Sequence, residues 1–496
     1  TTQATRRRGR LVSASMLGLL AVTLALILAA LLVLSFALTG PSWVTALAVG
    51  LLFLNAGVLA TMAGAPSPTP MLPYVLLLLP ALYQLFVNRA PVVWGWPMTA
   101  MLVFALVATL STVLSFRPGD SFPTLVQWLL EGLVFFFAAT NSIRTPAALR
   151  RCVQAVVAAG ALVGFFVALQ QHRGDFYDTF YGLAQVAEPY DITGASSVLA
   201  DGVGAGQFRA AGMIGEPNFF AMEMLALTPW AAYLAVTART VLARVAWVVA
   251  GLLLAYAVFV SYSRGALLAA GVVVVLMSVC GVLPRKTLAY LAVAGGAAVV
   301  AVPTLAARLA TLGAVVGGGS GEEASAAGRL SEVQAAWEVF ATHPVVGVGP
   351  GQFPLYYQRY VALTGGSVHS GDGARNAHNI VLGLAADVGL LGLASFVALV
   401  GVVVAHLVRA RREASLRSMA TPALVSVSLY LACSAFLHLA YARYLWLCLA
   451  LATSASSFVS EPAPGRPPAV LAPPTPSGAP PSPSYPGPTR VPEVPR

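Results

Sequence analysis

Charge is scarce in this sequence. Asp, Glu, Lys and Arg make up 9% of the 496 residues and hydrophobic side chains 58%, whereas a soluble domain carries about 25% charged residues. So little polar surface excludes an ordinary water-soluble enzyme. Lysine is nearly missing: of 28 basic residues only Lys286 is a lysine. The arginines that make up the rest are dispersed between apolar runs and are not gathered on one soluble face, so a nucleic-acid partner is excluded too. Cysteine is sparse, and Cys152, Cys280, Cys433 and Cys448 lie in apolar segments without the two-residue spacing of a metal or redox pair. They read as packing residues.

What remains is a series of long apolar runs. Leu11–Leu38, Met98–Phe116, Val245–Val260 and Ala266–Leu283 approach the roughly 20 residues that cross a hydrocarbon core. In lipid such segments must be helical, because an unpaired backbone group there costs several kcal/mol. Leu11–Leu38 is too long for the core of a signal peptide and has no clear small-residue cleavage site. Positive charge marks alternate gaps: Arg144 with Arg150 and Arg151, Arg239 with Arg244, Arg285 with Lys286, then Arg409, Arg411, Arg412 and Arg417. The positive-inside rule makes these cytoplasmic and leaves 171–208, the Ser261–Arg264 turn and 307–377 external.

Five apolar runs precede Asn141, near Leu11, Trp43, Met71, Met98 and Thr124. An odd number would put Arg6, Arg7, Arg8 and Arg10 outside, against the same rule, unless two runs share a crossing or the first is peripheral. The expectation is an all-α, polytopic membrane bundle of about 12 spans, 13 if every run crosses. Its divisions are N-terminal membrane helices over 1–97, a membrane domain over 98–460 with external loops 171–208 and 307–377, and a tail over 461–496. The second loop is expected to be partly helical, with an amphipathic stretch from Arg329 to Phe340. The tail holds 14 of the 34 prolines and reads as a disordered cytoplasmic extension.

Ionisable side chains at membrane depth are costly and are candidates for function. Arg209 opens a segment that reaches Glu216-Pro217-Asn218 at the start of a helix also holding Glu223; if both acids are helical they share a face about 10 Å apart along the axis. Arg264 sits in the turn Ser263-Arg264-Gly265, on the side where positive charge is normally avoided, which suggests an anionic partner. Arg329, His343-Pro344, Gly347-Val348-Gly349 and Arg375-Asn376-Ala377-His378-Asn379 form a third group. The glycines read as a turn folding the loop back on the membrane, since no strand-turn-helix context makes them a soluble phosphate loop. An imidazole at the external end of a span is able to accept a proton near neutral pH. Asp387, nine residues past His378, falls on the opposite helix face and forms no dyad with it. His343 and His369 match no zinc spacing, so no bound metal is expected.

In this order, Arg209 with Glu216-Pro217-Asn218, Ser263-Arg264-Gly265, Arg329, His343-Pro344 through Gly349, and His378-Asn379 followed by Gly389-Leu390-Leu391-Gly392 resemble the O-antigen ligase and polymerase family. Its members are membrane glycosyltransferases of the GT-C type. The similarity runs from about Met98 to Leu451. It implies an undecaprenyl-pyrophosphate-linked glycan as donor, and a glycan or lipid-A-core-type hydroxyl as acceptor. It also implies a multi-pass location in the plasma (inner) membrane, with the active site on the external, periplasmic face. Lipopolysaccharide or exopolysaccharide assembly at the cell envelope would be the setting, with membrane lipid as the surrounding partner and no cofactor.

On that resemblance His378 removes the acceptor proton, and Arg209 and Arg264 neutralise the departing pyrophosphate, because guanidinium forks suit phosphate oxygens. Arg375, Arg329, Glu216, Asn218 and Asn379 take substrate-binding or supporting roles. A single displacement inverts the anomeric carbon, since no nucleophilic carboxylate placed for a retaining route is evident. The motifs are common to ligases and polymerases. The other class open to a chain of about 12 spans is a transporter or lipid-linked glycan flippase, which would show repeated halves with broken helices at the midplane.

Overall fold

The computed structural model describes residues 41–62, 64–65, 71–190, 207–290, 293, 296, 322–364, 377–437 and 442–458. The Leu11–Leu38 run, the Arg6–Arg10 cluster, Arg375 and the 461–496 tail lie outside the described residues. Helices dominate: α1 (Pro41–Phe53), α2 (Ala56–Met62), α3 (Leu72–Leu82), α4 (Trp96–Leu114), α5 (Pro118–Trp128), α6 (Phe135–Ser142) and α7 (Pro146–Arg173) come first. After them come α8 (Pro217–Val236), α9 (Val241–Val260), α10 (Arg264–Val279), α11 (Glu322–Thr342), α12 (Phe353–Thr364), α13 (Ile380–Ala410), α14 (Arg417–Ser434) and α15 (Arg443–Ser457). Between α7 and α8 the chain forms one antiparallel hairpin of β1 (Gln185–Tyr190) and β2 (Gln207–Gly212), with Ala187 opposite Arg209. The first expected external loop therefore carries sheet, a small departure from an all-helical chain.

Among the described residues, six helical segments are long and apolar enough to cross a membrane: α4, α5 through α6, α7, α8, α9 and α13. The pair α1 and α2, bent by 55°, makes a seventh if it is counted as one span. Leu72–Val87 and Arg264–Val279 are shorter apolar helices. This is a multi-pass helical membrane protein. In the second expected loop, α11 starts at Glu322, ahead of the Arg329 read from amphipathicity, and α12 follows it.

Local sequence explains the helix starts. Thr145, Glu216, Thr240, Ser263 and Asn379 each accept a hydrogen bond from the backbone of the first turn that follows them, which satisfies donors that have no partner inside the helix. Pro146 and Pro217 stand at first helical positions, where a missing N–H costs nothing.

Polar contacts sort the helix ends. Arg150 Nη1 donates to Thr237 Oγ1 at 2.7 Å, Arg151 Nη1 pairs with Ser42 Oγ, and Arg144 Nη1 donates to Pro91 O at 2.8 Å. One end of the bundle thus gathers the start of α1, the α3–α4 and α8–α9 connections and the start of α7, with the arginines expected inside. At the opposite end Ser121 Oγ donates to Pro350 O at 3.2 Å and Asn55 Nδ2 to Met213 O at 3.4 Å. A buried aromatic cluster fixes four helices between these ends: Phe104 of α4 lies 5.0 Å from Trp128 of α5 and 5.8 Å from Phe396 of α13, and Trp128 lies 5.6 Å from Trp446 of α15. The two edge-on pairs, Phe104–Trp128 and Trp128–Trp446, add about 0.5–1.5 kcal/mol each to their area burial.

Candidate functional site

Strand β2 carries Arg209 against the turn between α9 and α10. Its Nε donates to Ser261 O at 2.9 Å and its Nη2 to Asn218 Oδ1 at 3.0 Å. The same Asn218 oxygen accepts from Ser263 Oγ at 3.0 Å, while Asn218 Nδ2 donates to Glu216 Oε1 at 2.8 Å. Glu216 Oε2 in turn accepts from the Phe219 amide at 2.7 Å. One asparagine side chain therefore joins the strand, the start of α8 and the Ser261–Arg264 turn. Tyr262, at the apex of that turn, has a left-handed backbone with φ 52°, a conformation a tyrosine holds only where its surroundings enforce it. Arg264 follows the Ser263 cap as the first residue of α10 and is half-buried.

Glu216 and Glu223 do not share a helical face as the sequence suggested. Glu216 is the extended N-cap, φ −125° and ψ 119°, so α8 begins only after it. The carboxylate serves the helix terminus, while Glu223 is buried within the bundle at 3% exposure.

His378 stands at the end of the second loop, just ahead of α13, with φ 44°. Its Nδ1 lies 2.8 Å from Glu332 Oε2 on α11, with side-chain exposures of 36% and 1%. A fully buried carboxylate thus meets a partly exposed imidazole. Asn379 caps α13: its Oδ1 accepts from the Val381 and Leu382 amides at 2.9 and 3.0 Å, and its Nδ2 donates to Ala435 O at 3.0 Å. Asn379 therefore ties the histidine's helix to the end of α14.

The glycine-rich segment does fold back, and the way it does so is specific. At Gly389 helix α13 breaks, with φ 65° and ψ −168°. The loop fills the break: Val348 N donates to Ala386 O at 3.0 Å, Gly349 N to Asp387 O at 2.7 Å, Leu390 N to Pro344 O at 2.8 Å and Leu391 N to Val345 O at 3.2 Å. The Asp387 carboxylate, 1% exposed, accepts from the Gly351 and Phe353 amides at 2.9 Å each. Through these two bonds the Asp387 carboxylate holds the loop. Ser111 of α4 completes the joint by donating to Val346 O at 2.6 Å and Asp387 O at 3.0 Å. Backbone groups freed by the break thus find partners within the protein, which membrane-depth backbone requires.

The two polar groups belong to one end of the bundle. Asn218, Ser263, Gly265 and Ala266 line a small pocket together with Cys433, Phe436 and Leu437 at the end of α14, and Asn379 holds Ala435 beside it. Arg209, Arg264 and His378 thus come from three separated stretches of chain to one region. Arg329 lies on α11, one turn before Glu332. Among the described residues no group of three or more His, Cys, Asp or Glu side chains is placed to hold a metal. Sequence reasoning missed Glu332. Its only signal was a carboxylate three residues past Arg329 on the buried face of an amphipathic helix, 46 residues from the histidine it meets.

Residues 249–397 match the family model described as O-antigen ligase. Over that stretch, about a third of its length, the chain is similar to the O-antigen ligase family. The matched stretch runs from within α9 through much of α13, so the ligase-family domain includes Arg264, Glu332, His378, Asn379 and the Gly389 break. Arg209, Glu216 and Asn218 precede it and reach it through the Asn218 contacts. The family carries with it enzyme activity of the O-antigen ligase or polymerase kind in general. A search of curated proteins finds no match to this chain.

Proposed function

We propose that the protein is a membrane glycosyltransferase that moves a glycan from undecaprenyl pyrophosphate to an acceptor hydroxyl at the external face of the plasma membrane, without a metal. The observation that carries this reading is the His378–Glu332 pair at the same end of the bundle as the arginine cluster. With Nδ1 turned to the Glu332 carboxylate, the imidazole keeps its proton on that nitrogen and Nε2 is the basic atom. Nε2 takes the proton from the acceptor hydroxyl as its oxygen bonds to the anomeric carbon. The bond from that carbon to the pyrophosphate oxygen breaks, and the lipid pyrophosphate leaves with the electron pair. Arg209 and Arg264 stabilise the negative charge that builds on the leaving group. One displacement inverts the anomeric centre. Asn218 and Glu216 support the reading by holding Arg209 and the Ser263–Arg264 turn in fixed relation.

Purified protein supplied with a lipid-linked glycan and acceptor is expected to release undecaprenyl pyrophosphate in the presence of chelator. His378→Ala abolishes that release with the thermal transition retained. Full activity in this variant overturns the mechanism, and movement of intact donor across vesicles without release favours a flippase. The acceptor decides between ligase and polymerase: in a deletion strain, polymer stranded on its lipid carrier marks a ligase, and loss of polymer with single repeats remaining marks a polymerase.

A further inference from the structure

A second polar cluster lies inside the bundle and is not used by the transfer mechanism. Arg443 begins α15, and its Nη2 is 3.5 Å from Glu131 Oε1, the two side chains being 20% and 7% exposed. Glu131 sits in the π-helical turn Leu129–Val134, a distortion that recurs at functional sites, and also accepts from Gln127 Nε2 at 3.3 Å. The second acid, Glu223 of α8, faces an internal pocket with Tyr430 of α14 and Tyr444 of α15. Glu223 Oε2, Tyr430 Oη and Tyr444 Oη are all buried, and none has a hydrogen-bond partner within the protein. Ser426 Oγ, on the same wall, is committed to Ala226 O at 2.6 Å.

The charge count does not close. Two carboxylates share one guanidinium, and Glu131 already holds it. An uncompensated carboxylate among apolar side chains is costly enough that it is found paired, coordinated or neutralised. The titratable and charged groups around Glu223 are Tyr430 on α14 and Arg443, Tyr444 and Cys448 on α15; α1 and α7 present Phe53 and Val156 to the pocket. Among the described residues no second cation joins them.

We propose that Glu223, with the hydroxyls of Tyr430 and Tyr444, forms an intramembrane site for one monovalent cation, a proton or Na⁺. Either occupant supplies the missing positive charge, and either engages the three oxygens: a proton on Glu223 gives a donor to one tyrosine and an acceptor to the other, while Na⁺ takes hard oxygen ligands. The site lies about 10 Å down α8 from Glu216, so its occupancy sets the net charge beneath the arginine cluster. The inference stands apart from the glycan-transfer reading, because it rests on a count of buried charges.

The test is labelling of the purified full chain with dicyclohexylcarbodiimide, an apolar reagent that adds to a carboxyl only when that carboxyl carries a proton. In Na⁺-free choline buffer an adduct is expected on the peptide containing Glu223, with slower labelling as pH rises, and none on the peptide containing Glu131. Glu223→Gln loses the adduct; should that variant fail to fold, the peptide map of the unaltered protein still decides. Protection by Na⁺ at constant ionic strength identifies sodium as the occupant, and indifference to Na⁺ identifies the proton. No adduct at Glu223 at any pH, or an adduct at Glu131 in its place, overturns the proposal.

Discussion

Replacing Gly347 by alanine tests the joint between the glycine-rich loop and the broken helix. Gly347 has φ 69°, and a Cβ built there would sit 2.4 Å from both the carbonyl carbon and the oxygen of Asp387 and 2.6 Å from Ala386 O. These are backbone atoms of α13 and have no rotamer to yield. The left-handed backbone costs an alanine about 1–2 kcal/mol. Relieving the overlap moves the loop away from α13 and sacrifices the Val348-to-Ala386 and Gly349-to-Asp387 hydrogen bonds of 3.0 and 2.7 Å, worth about 1 kcal/mol each. The sum is about 3–4 kcal/mol, or a factor of several hundred in the population of the closed joint. Hydrogen exchange of the full chain in nanodiscs reads this directly: amides over 343–353 and 386–391 should lose protection. Gly401→Ala, further along α13 and facing open space, is the control and should leave exchange unchanged. Equal protection in Gly347→Ala and the parent would refute the account of the joint.

Glu332→Gln keeps the size of the side chain that meets His378 Nδ1 and removes its charge. Transfer should fall by about 10²-fold or more, with kcat affected more than the KM for donor and with the thermal transition retained; an unchanged kcat removes Glu332 from the mechanism. Asn379→Ala deletes the cap of α13 and the bond to Ala435 O. A loss of about 1–3 kcal/mol is expected, read as a lower unfolding midpoint in detergent, and no shift would show that the cap is dispensable.

Much of the site was legible because its residue types are expensive where they stand. Arg209, Arg264 and His378 stood out as ionisable groups beside long apolar runs, and the structure brings their chain segments to one end of the bundle. Asn218 and Asn379 were visible only as motif letters, and Glu216 only as an acid near a helix start. Their work is to accept and donate hydrogen bonds across elements far apart in sequence, and a linear pattern carries no trace of such pairing. The same limit hid Glu332, which is 46 residues from its histidine, and left Asp387 looking idle because its partners are backbone amides.

The sequence by itself determined that this is a helical membrane protein, because a chain with 9% charge and continuous apolar runs near 20 residues satisfies its backbone in lipid as helices. It also determined five of the helix starts, since caps and first-turn prolines act over three or four residues. Only the tertiary structure decided the rest. It set the hairpin that presents Arg209, the break at Gly389 filled by the loop's own amides, the pairing of His378 with Glu332, and the buried acid that outnumbers its arginine. Each of these depends on which distant segments touch, and contact between distant segments is a property of the packed bundle.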